Sequence, residues 1–577
     1  MQNSVNGSPN RSLPLVSAKM NAEPDIAEAL SSFEEEERRR LGLHKKPNPW
    51  RETMANLKFV KSERANVTIL LGGLTLAHDR LVEGAFRGLG YNIRALDCAD
   101  EAALRVGKEF GNRGQCNPTY FTVGNLVQFL QKLKDEGQSA KDIIANYVFL
   151  TAGACGPCRF GMYVTEYRKA LRDAGFEGFR VIAFQQQGGL SQVNGEDVGL
   201  EMSPKFFGAM LQALAAGDVI NALGYRIRPY EMVPGATNRA IEATLERCYQ
   251  ALLHRKSVLM ALFKSKREFS GIKVDRTRIK PKVSIIGEFW AMTTEGDGNY
   301  HLQKFLEQEG AEVDIQIVTA WLLYNIWEVR FDTANRAQLR GMDGGTRGLS
   351  GMGEFDIKKR EVMLNLAEKA LRTGFFAYSR ALGLNNYHLP DMDQVAETAR
   401  DYYNNDLRGG EGHMEVGKLI LNAVGKKSTM TLSVKPFGCM PSSGVSDGVQ
   451  SLVQERFPGS IFCAVETSGD GAVNFQSRVQ MFLHKAKRCA VDEVEKALAN
   501  YELTMDNVRD FVAGNPKLSA GLFKAQHVGT TTTVDLVHEV ARRAGRRPSN
   551  SDSRQTHPET GRVSAATAVA NASMAAE

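Results

Sequence analysis

Short apolar runs alternate with amphipathic stretches along the first half of the chain. The runs are rich in Val, Ile and Leu, which is the composition of buried strands. The stretches that follow have helical periodicity and end at a glycine, as at Gly90 and Gly175, which is typical of helix termini. The pattern predicts strands at 67–71, 92–96, 147–151 and 179–184, with helices at 78–89, 123–134 and 162–174.

The second half repeats this plan around a long insertion. Strands alternating with helices of about 10–15 residues form parallel sheets. We therefore predict an α/β fold of two Rossmann-like parallel-sheet lobes, with a helical insertion and disordered termini. The predicted elements are strands at 282–286, 313–317, 431–434 and 460–464, helices at 300–308 and 445–456, and the insertion at about 320–425.

The boundaries follow from shifts in composition. Residues 1–60 form a polar N-terminal tail with one charged helical stretch at 34–40. The first lobe is assigned to 61–265, and the second lobe with its insertion to 275–500. A C-terminal extension occupies 501–577 and is rich in Ser, Thr, Arg and Ala from about 545, which predicts disorder from that point.

Composition excludes several classes of protein. Of the 577 residues, 43% are hydrophobic and 24% are charged, as in ordinary globular domains. A net charge of +6 over so long a chain is not the basic footprint of a nucleic-acid-binding protein. No apolar run reaches the ~20 residues of a membrane span, and the N-terminus has no secretory signal pattern. We therefore expect a cytoplasmic protein that binds neither nucleic acid nor a membrane.

Cysteines carry the strongest chemical signal. The chain has eight, too few for a disulfide framework. Cys155 and Cys158 form a C-x-x-C pair in a glycine-containing turn between a predicted strand and a helix. Backbone N–H groups at such a helix start favour thiolates. The pair alone fits half of a zinc site, a redox dithiol or part of an iron–sulfur site.

Two further cysteines lie in turns flanked by Gly, Asn or Pro. Cys116 precedes a predicted helix in the first lobe, and Cys439 occupies the equivalent turn of the second lobe. Because ligands bind at the carboxyl ends of parallel strands, these four cysteines are candidate ligands of one site closed across the interlobe cleft. Cys98 is ambiguous, whereas Cys248, Cys463 and Cys489 are interpreted as core or surface residues.

Other polar residues are weaker candidates. Glu411 and His413 lie among glycines and could act as acid and base in a cleft, or simply begin a helix. Arg226, Arg228 and Tyr230 could contact a phosphate-bearing substrate or form a surface strand. The near P-loop at 412–419 has Leu419 in place of Ser or Thr, so a phosphate loop is not favoured.

Several stretches together resemble the 2-hydroxyacyl-CoA dehydratase component family, including the related C-terminal part of acyl-CoA dehydratase activase-related proteins. The resemblance spans about 65–485, and its two cysteine segments are long and specific. The matching stretches are 71–79 (LGGLTLAHD), 114–124 (GQCNPTYFTVG), 151–163 (TAGACGPCRFGMY), 287–290 (GEFW), 295–299 (EGDGN) and 435–442 (KPFGCMPS).

The resemblance implies a cubane-type iron–sulfur cluster in a cleft between α/β lobes. By motif position its ligands would be Cys116, Cys155, Cys158 and Cys439. Relatives often carry a cysteine near position 111, where this chain has Gly111, so one [4Fe–4S] cluster is expected rather than a double cubane. Related members dehydrate 2-hydroxyacyl-CoA thioesters by a radical route.

The resemblance also implies partners. An ATP-hydrolysing activase delivers one low-potential electron, and the chain has no evident ATPase domain of its own, so the activase would be a separate polypeptide. A second dehydratase-like subunit or a homodimer is also expected, with an acyl-CoA as substrate. Two alternatives stay open: a non-catalytic, cluster-bearing electron-transfer component, and a module that uses its cysteines for structural zinc.

Overall fold

The computed structural model describes residues 23–41, 59–153, 158–185, 199–201, 203–339, 354–407, 410–444 and 448–549. The chain divides into two compact units, residues 1–56 and 57–577. In the first unit, helix α1 (Glu23–Arg40) contains the predicted charged stretch, and Arg38 pairs with Glu34 one turn earlier at 2.9 Å. The remaining parts of the termini that were predicted to be disordered, 1–22, 42–58 and 550–577, lie outside the described residues.

The second unit contains two four-stranded parallel sheets. The first has the order β2-β1-β3-β4, and the second has the matching order β6-β5-β7-β8. All eight strands lie where the hydrophobic pattern predicts them, so the α/β class with two parallel-sheet lobes is confirmed. The strands are β1 (Thr68–Leu71), β2 (Ile93–Ala95), β3 (Tyr147–Gly153), β4 (Arg180–Gln185), β5 (Lys282–Gly287), β6 (Glu312–Ile315), β7 (Met430–Pro436) and β8 (Ile461–Thr467).

Helices flank both sheets. Helices of the first lobe are α2 (Leu76–Gly88), α3 (Glu101–Phe110), α4 (Asn117–Asp135), α5 (Ala140–Asn146), α6 (Tyr163–Asp173), α7 (Pro204–Ile227), α8 (Ala236–Leu253) and α9 (Val258–Ser270). Between β5 and β6 lie α10 (Phe289–Thr293) and α11 (Leu302–Gln308). The insertion between β6 and β7 consists of α12 (Val318–Leu339), α13 (Glu354–Leu382), α14 (Met392–Ala399) and α15 (Gly412–Val424).

The C-terminal part is folded against the second sheet. It contains α16 (Met440–Gly444), α17 (Gln450–Arg456), α18 (Ala472–Asn500), α19 (Met505–Ala513) and α20 (Thr532–Arg543). Apolar side chains of α18, α19 and α20 share one core, and the Arg276 guanidinium donates to the carbonyls of Leu518, Ala520 and Gly521. The described part of the predicted C-terminal extension is therefore held by packing and by hydrogen bonds.

One helix among the described residues, Pro204–Tyr230, is long and apolar enough by length and composition to cross a membrane. It contains α7, which packs against α2, α8 and α13. Half-way along it, the buried Asp218 carboxylate accepts hydrogen bonds from Val318 and Thr319 at the start of α12 and lies 3.2 Å from His78 Nε2. Because an internal carboxylate and packed neighbours are features of a core helix, we assign α7 to the protein interior.

Carboxylates of the second lobe cap helices of the first. Glu295 accepts a hydrogen bond from the N–H of Leu76 at 2.8 Å, at the start of α2. Asp297 does the same for Glu101, the first residue of α3, at 2.9 Å. A negative charge at a helix start satisfies unpaired N–H groups and favours the helix dipole. These caps fix the carboxyl ends of the two sheets relative to each other.

Candidate metal centre

The cysteine-bearing turns follow equivalent strands of the two sheets. Cys158 lies beyond the end of β3, and Cys439 lies three residues after β7. In each sheet that strand stands third in the spatial order. Both turns are therefore at strand carboxyl ends, which is where α/β proteins place ligands.

The Cys116 loop of the first lobe touches the Cys439 turn of the second. The N–H of Asn117 donates to the carbonyl of Phe437 at 3.0 Å. Gly438 has φ +78°, and a Cβ on it would lie 3.2 Å from the Cα of Cys116. Only glycine adopts this conformation readily and allows so close an approach. The two lobes thus meet backbone to backbone beside Cys116 and Cys439.

Hydrogen bonds also connect the Cys116 loop to the C-x-x-C turn. The Cys116 sulfur is 3.0 Å from the Tyr163 hydroxyl and 3.1 Å from the Thr119 hydroxyl. Arg159, next to Cys158, donates to the carbonyl of Gly114. Tyr163 begins α6, so the helix after the C-x-x-C turn directly positions Cys116. Cys155 itself lies outside the described residues.

The candidate thiols of the two lobes share one electrostatic environment. Cys116 and Cys439 are buried and Cys158 is half-buried. Burial raises the pKa of Cys158 to about 12, and the nearby charges of Glu411, Glu288 and Cys116 contribute. Burial also raises the pKa of Cys439, again with help from Glu288 and Glu411. Thiols of both lobes therefore face the same two carboxyl groups.

Three glutamates of the second lobe complete this site. Glu288 follows β5 and caps α10, where it accepts from the N–H of Ala291 at 2.8 Å. Glu411 immediately precedes α15 and is 7% exposed. Glu415 lies one turn into α15 and accepts a hydrogen bond from the Ser442 hydroxyl at 2.7 Å. The start of α15 and the turn after β7 are thus joined beside the thiols.

Burial makes the carboxyl groups of Glu411 and Glu288 easier to protonate than in water, and neighbouring carboxylates add to this effect at Glu411. The pKa of Glu411 is raised well above its ordinary value by burial, then by the charges of Glu288 and Glu415, while a hydrogen bond from Trp321 opposes the rise. Burial likewise raises the pKa of Glu288. A site of thiols and carboxyls has only acidic groups, so a bound cation would stabilise their ionised forms.

His413 lies apart from these charges. Its ring packs on Trp327 and Tyr324 of α12, with centroids 4.5 and 5.0 Å away. Its Nε2 is buried without a hydrogen-bond partner, and burial lowers its pKa to about 4. The imidazole is therefore neutral at physiological pH and is placed among aromatic rings rather than beside the thiols.

The described residues of the site supply donors but not a converged metal-binding group. Within the described ranges, no three His, Cys, Asp or Glu side chains converge closely enough to hold a metal ion, and the ranges do not include Cys155. The seven described cysteines are all free thiols. Thiols in turns of both lobes are the donor type that soft metals and iron–sulfur clusters require, and the chemistry of the set fits such a group.

The remaining cysteines occupy other positions. Cys248 and Cys463 are fully buried in α8 and β8, and Cys489 is exposed on α18. Cys98 is half-buried, with its sulfur 3.7 Å from the Thr294 hydroxyl. The near P-loop at 412–419 forms the beginning of α15, so it is a helix and not a phosphate loop.

The alternative of a surface strand at 225–230 is wrong. These residues form the end of α7 and a 3-10 helix, because apolar side chains continue the helical face of α7 into the core. Arg228 pairs with Glu307 at 3.0 Å, and the Tyr230 hydroxyl donates to Glu312 at 3.0 Å. Arg226 donates to the carbonyl of Asn385.

Comparison of the chain with protein-family models and with curated proteins finds no match. The assignment of a metal centre therefore depends on the residues of the site and their geometry.

Sequence reasoning missed several residues of this site. Glu288 and Glu415 contribute charge, Tyr163 bonds the Cys116 sulfur, and Trp321 bonds Glu411. Glu288 could have been identified from the sequence, because it follows a predicted strand and a glycine and so lies at the carboxyl end of that strand. No sequence pattern points to Trp321, because its hydrogen bond to Glu411 depends on how α12 of the insertion packs.

Proposed function

We propose that this chain is the iron–sulfur component of a 2-hydroxyacyl-CoA dehydratase-like system, a lyase or a related low-potential reductase. One observation carries the proposal. Cys158 of the first lobe and Cys439 of the second lie near the same buried carboxyl groups at the carboxyl ends of parallel strands, and the loop of Cys116 contacts the Cys439 turn. Acidic groups enclosed in this way favour a cationic centre, and thiols favour iron–sulfur clusters.

In this proposal Cys116, Cys155, Cys158 and Cys439 hold a [4Fe–4S] cluster. The bound cluster supplies one-electron chemistry for removal of water from a 2-hydroxyacyl thioester. Tyr163 and Thr119 fix the position of the Cys116 sulfur. Glu411 is the proton donor for the departing hydroxyl, since burial and the charges of Glu288 and Glu415 raise the pKa of its carboxyl well above the ordinary glutamate value.

The remaining chemistry requires partners. A separate ATP-hydrolysing activase would deliver the low-potential electron, and a second dehydratase-like subunit or a homodimer would complete the enzyme. The seven described thiols are free, which supports a reducing, cytoplasmic location. His413 receives no proton-transfer role, because it stays neutral and is packed among aromatic rings.

Anaerobic purification followed by analysis of iron, acid-labile sulfide and zinc tests the proposal. We expect about four irons per chain with matching sulfide, and a brown colour that dithionite or air bleaches. Stoichiometric zinc in a colourless protein without sulfide would contradict the proposal and indicate a structural zinc module instead. Cluster content without dehydration in the presence of activase, reductant and 2-hydroxyacyl-CoA thioesters would indicate an electron-transfer component.

A matched pair of variants tests the ligand assignment. Cys155→Ala/Cys158→Ala should lose the iron, whereas Cys248→Ala/Cys489→Ala should keep it, since neither residue of the second pair is near the site. Retained iron and sulfide in the first double variant would remove the C-x-x-C pair from the ligand set. Circular dichroism of both variants shows whether the fold is intact.

A further inference from the structure

Five basic side chains gather at the free edge of the second sheet. The edge strand is β6, and the Asp314 carboxylate on it interacts with the charges of four lysines. Arg226, at the end of α7, adds its charge beside two of them. We call this set the basic crevice; it consists of Arg226, Lys282, Lys418, Lys427 and Lys524.

The crevice is held mainly by neutral acceptors. Arg226 donates to the carbonyl of Asn385 at 2.7 Å, and Lys524 donates to the carbonyl of Asn386 at 3.2 Å. The Lys418 ammonium donates to the Gln316 side-chain oxygen at 2.7 Å. Carbonyl dipoles orient these cations but do not neutralise them.

Nearby carboxylates do not balance the charge. Lys282 has an ion pair, 3.8 Å from Glu312, but Glu312 also accepts from the Tyr230 and Thr532 hydroxyls. Asp535, which also faces Lys282, caps the N–H groups of Val528 and Gly529. Of the crevice cations, Arg226, Lys418, Lys427 and Lys524 have no ion pair with any described carboxylate.

Burial and neighbouring positive charges lower the pKa values of two crevice lysines, whereas the carboxylates of Glu312, Asp314 and Asp535 raise that of Lys282. Burial lowers the pKa of Lys524 to about 8, and the positive charges of Arg226 and Lys282 contribute. Burial lowers the pKa of Lys418 to about 8 as well, with Lys427 adding and Asp314 opposing. Like charges assembled in this way cost stability, and that cost disappears when an anion binds.

One side of the crevice is open to solvent, and most of it extends away from the thiols. Lys427 is exposed and the other four residues are half-buried, so an ion would enter the crevice at Lys427. Lys282 begins β5, whereas Glu288 follows its last residue, and at about 3.3 Å per residue the two positions are roughly 20 Å apart. The Lys282 end of the crevice is therefore distinct from the thiol site, whereas Lys418 lies one turn after Glu415 in α15.

We propose that the basic crevice is a binding site for the phosphate groups of a small molecule. Ammonium groups bind phosphate as point charges, and a guanidinium adds directed donors. Several cations around one carboxylate fit a ligand with at least two negative charges. The phosphates could belong to a nucleotide-containing molecule such as coenzyme A or to free inorganic pyrophosphate.

Calorimetric titration of the full chain with inorganic pyrophosphate tests this site. Lys524→Gln and Lys427→Gln should each weaken binding about tenfold, the usual loss for one charged hydrogen bond. Lys517→Gln is the matched control, because Lys517 is an exposed lysine of the same C-terminal segment. Lys427 is exposed, so its variant stays informative if Lys524→Gln fails to fold. Absence of binding, or equal affinity in all four proteins, would overturn the proposal.

A second arm of the experiment identifies the source of the phosphates. Coenzyme A that binds more tightly than pyrophosphate, and that loses affinity in Lys524→Gln, would support a nucleotide-bearing ligand. Tighter binding of pyrophosphate would support a free inorganic anion. If pyrophosphate does not bind, and coenzyme A binds tightly and equally to wild type and Lys524→Gln, phosphate binding in the basic crevice would be contradicted. The proposed dehydratase function would be unaffected by that result.

Discussion

The thiol site between the sheets and the basic crevice at the edge of β6 are opposite in sign. The first encloses thiols and three glutamates, and the second encloses four lysines and an arginine. In both, burial shifts most pKa values towards the neutral forms; Lys282 is the exception, because the carboxylates of Glu312, Asp314 and Asp535 raise its pKa. A fold gains nothing from repulsion between like charges, so we infer that each region is completed by a ligand of opposite charge: a metal centre in one and a phosphate in the other.

Charges that serve the scaffold are arranged differently. Asp218 faces His78 and accepts three hydrogen bonds from Val318 and Thr319. Arg228 and Glu307 form a pair at 3.0 Å. These groups have partners of opposite charge, and the Asp218 and Glu307 carboxylates accept hydrogen bonds from them or from neighbouring residues. The contrast between balanced and unbalanced clusters, rather than burial alone, distinguishes ligand sites from scaffold in this protein.

Removal of one thiol from the second lobe has the largest expected effect. Cys439→Ala should abolish stable retention of four irons, because the first lobe supplies only three of the four proposed ligands. Cys463→Ala, in the neighbouring strand β8, is the control and should keep iron while losing some stability. Iron and sulfide analysis measures both. Normal iron content in Cys439→Ala would show that the site uses only one lobe.

Removal of the Asp218 carboxylate should reduce the stability of the fold rather than the retention of iron. Asp218→Ala leaves His78 and the start of α12 without their acceptor, and we expect it to lower the free energy of unfolding by about 3–5 kcal/mol. Asp391→Ala removes an exposed cap at the start of α14 and should cost only about 1 kcal/mol. Guanidinium unfolding compares them. Equal losses would mean that burial of Asp218 adds nothing to its role as a cap.

The fold was predictable because its signals are local. Each of the eight strands is a short apolar run such as 282–286, and its flanking helices have clear periodicity. The same method missed α7, because an all-round apolar helix has no amphipathic pattern to detect. It also suggested a strand at 225–230, where tertiary packing continues the helix.

The candidate site was predictable only in part. Cysteines in glycine- and proline-containing turns are conspicuous, and the two-lobed plan indicated that Cys116 and Cys439 should meet. Contacts to Trp321 and Glu415 depend on how the insertion packs over the second sheet, and no sequence pattern encodes that packing. The basic crevice was equally hidden, since its residues come from α7, β5, α15 and the C-terminal segment.

Neutralising a carboxyl of the thiol site should stabilise the metal-free protein. The folded-state pKa of Glu411 is raised, so the unfolded chain loses this proton first, and stability falls as pH increases above about 4.3, the ordinary glutamate value. Glu411→Gln removes that loss and should raise Tm by a few degrees at pH 7 but not at pH 4. Glu397→Gln, at an exposed position on α14, should change Tm at neither pH. A lower Tm for Glu411→Gln at pH 7 would contradict the claim that the Glu411 carboxylate destabilises the metal-free protein.

The smallest effect should appear in the pH dependence of the basic crevice. Lys524 and Lys418 have pKa values of about 8, so they are largely protonated at pH 7 and largely neutral at pH 9. An anion binds the protonated forms, so wild-type affinity for pyrophosphate should fall several-fold over this range. Lys524→Gln should show a shallower fall, because one of the two titrating amines is gone.

Titration of pyrophosphate itself is the same in both proteins and cancels in the ratio of their dissociation constants. That ratio should approach one at pH 9, where the Lys524 amine no longer carries charge, and a constant ratio from pH 7 to pH 9 would show that its charge does not contribute to binding.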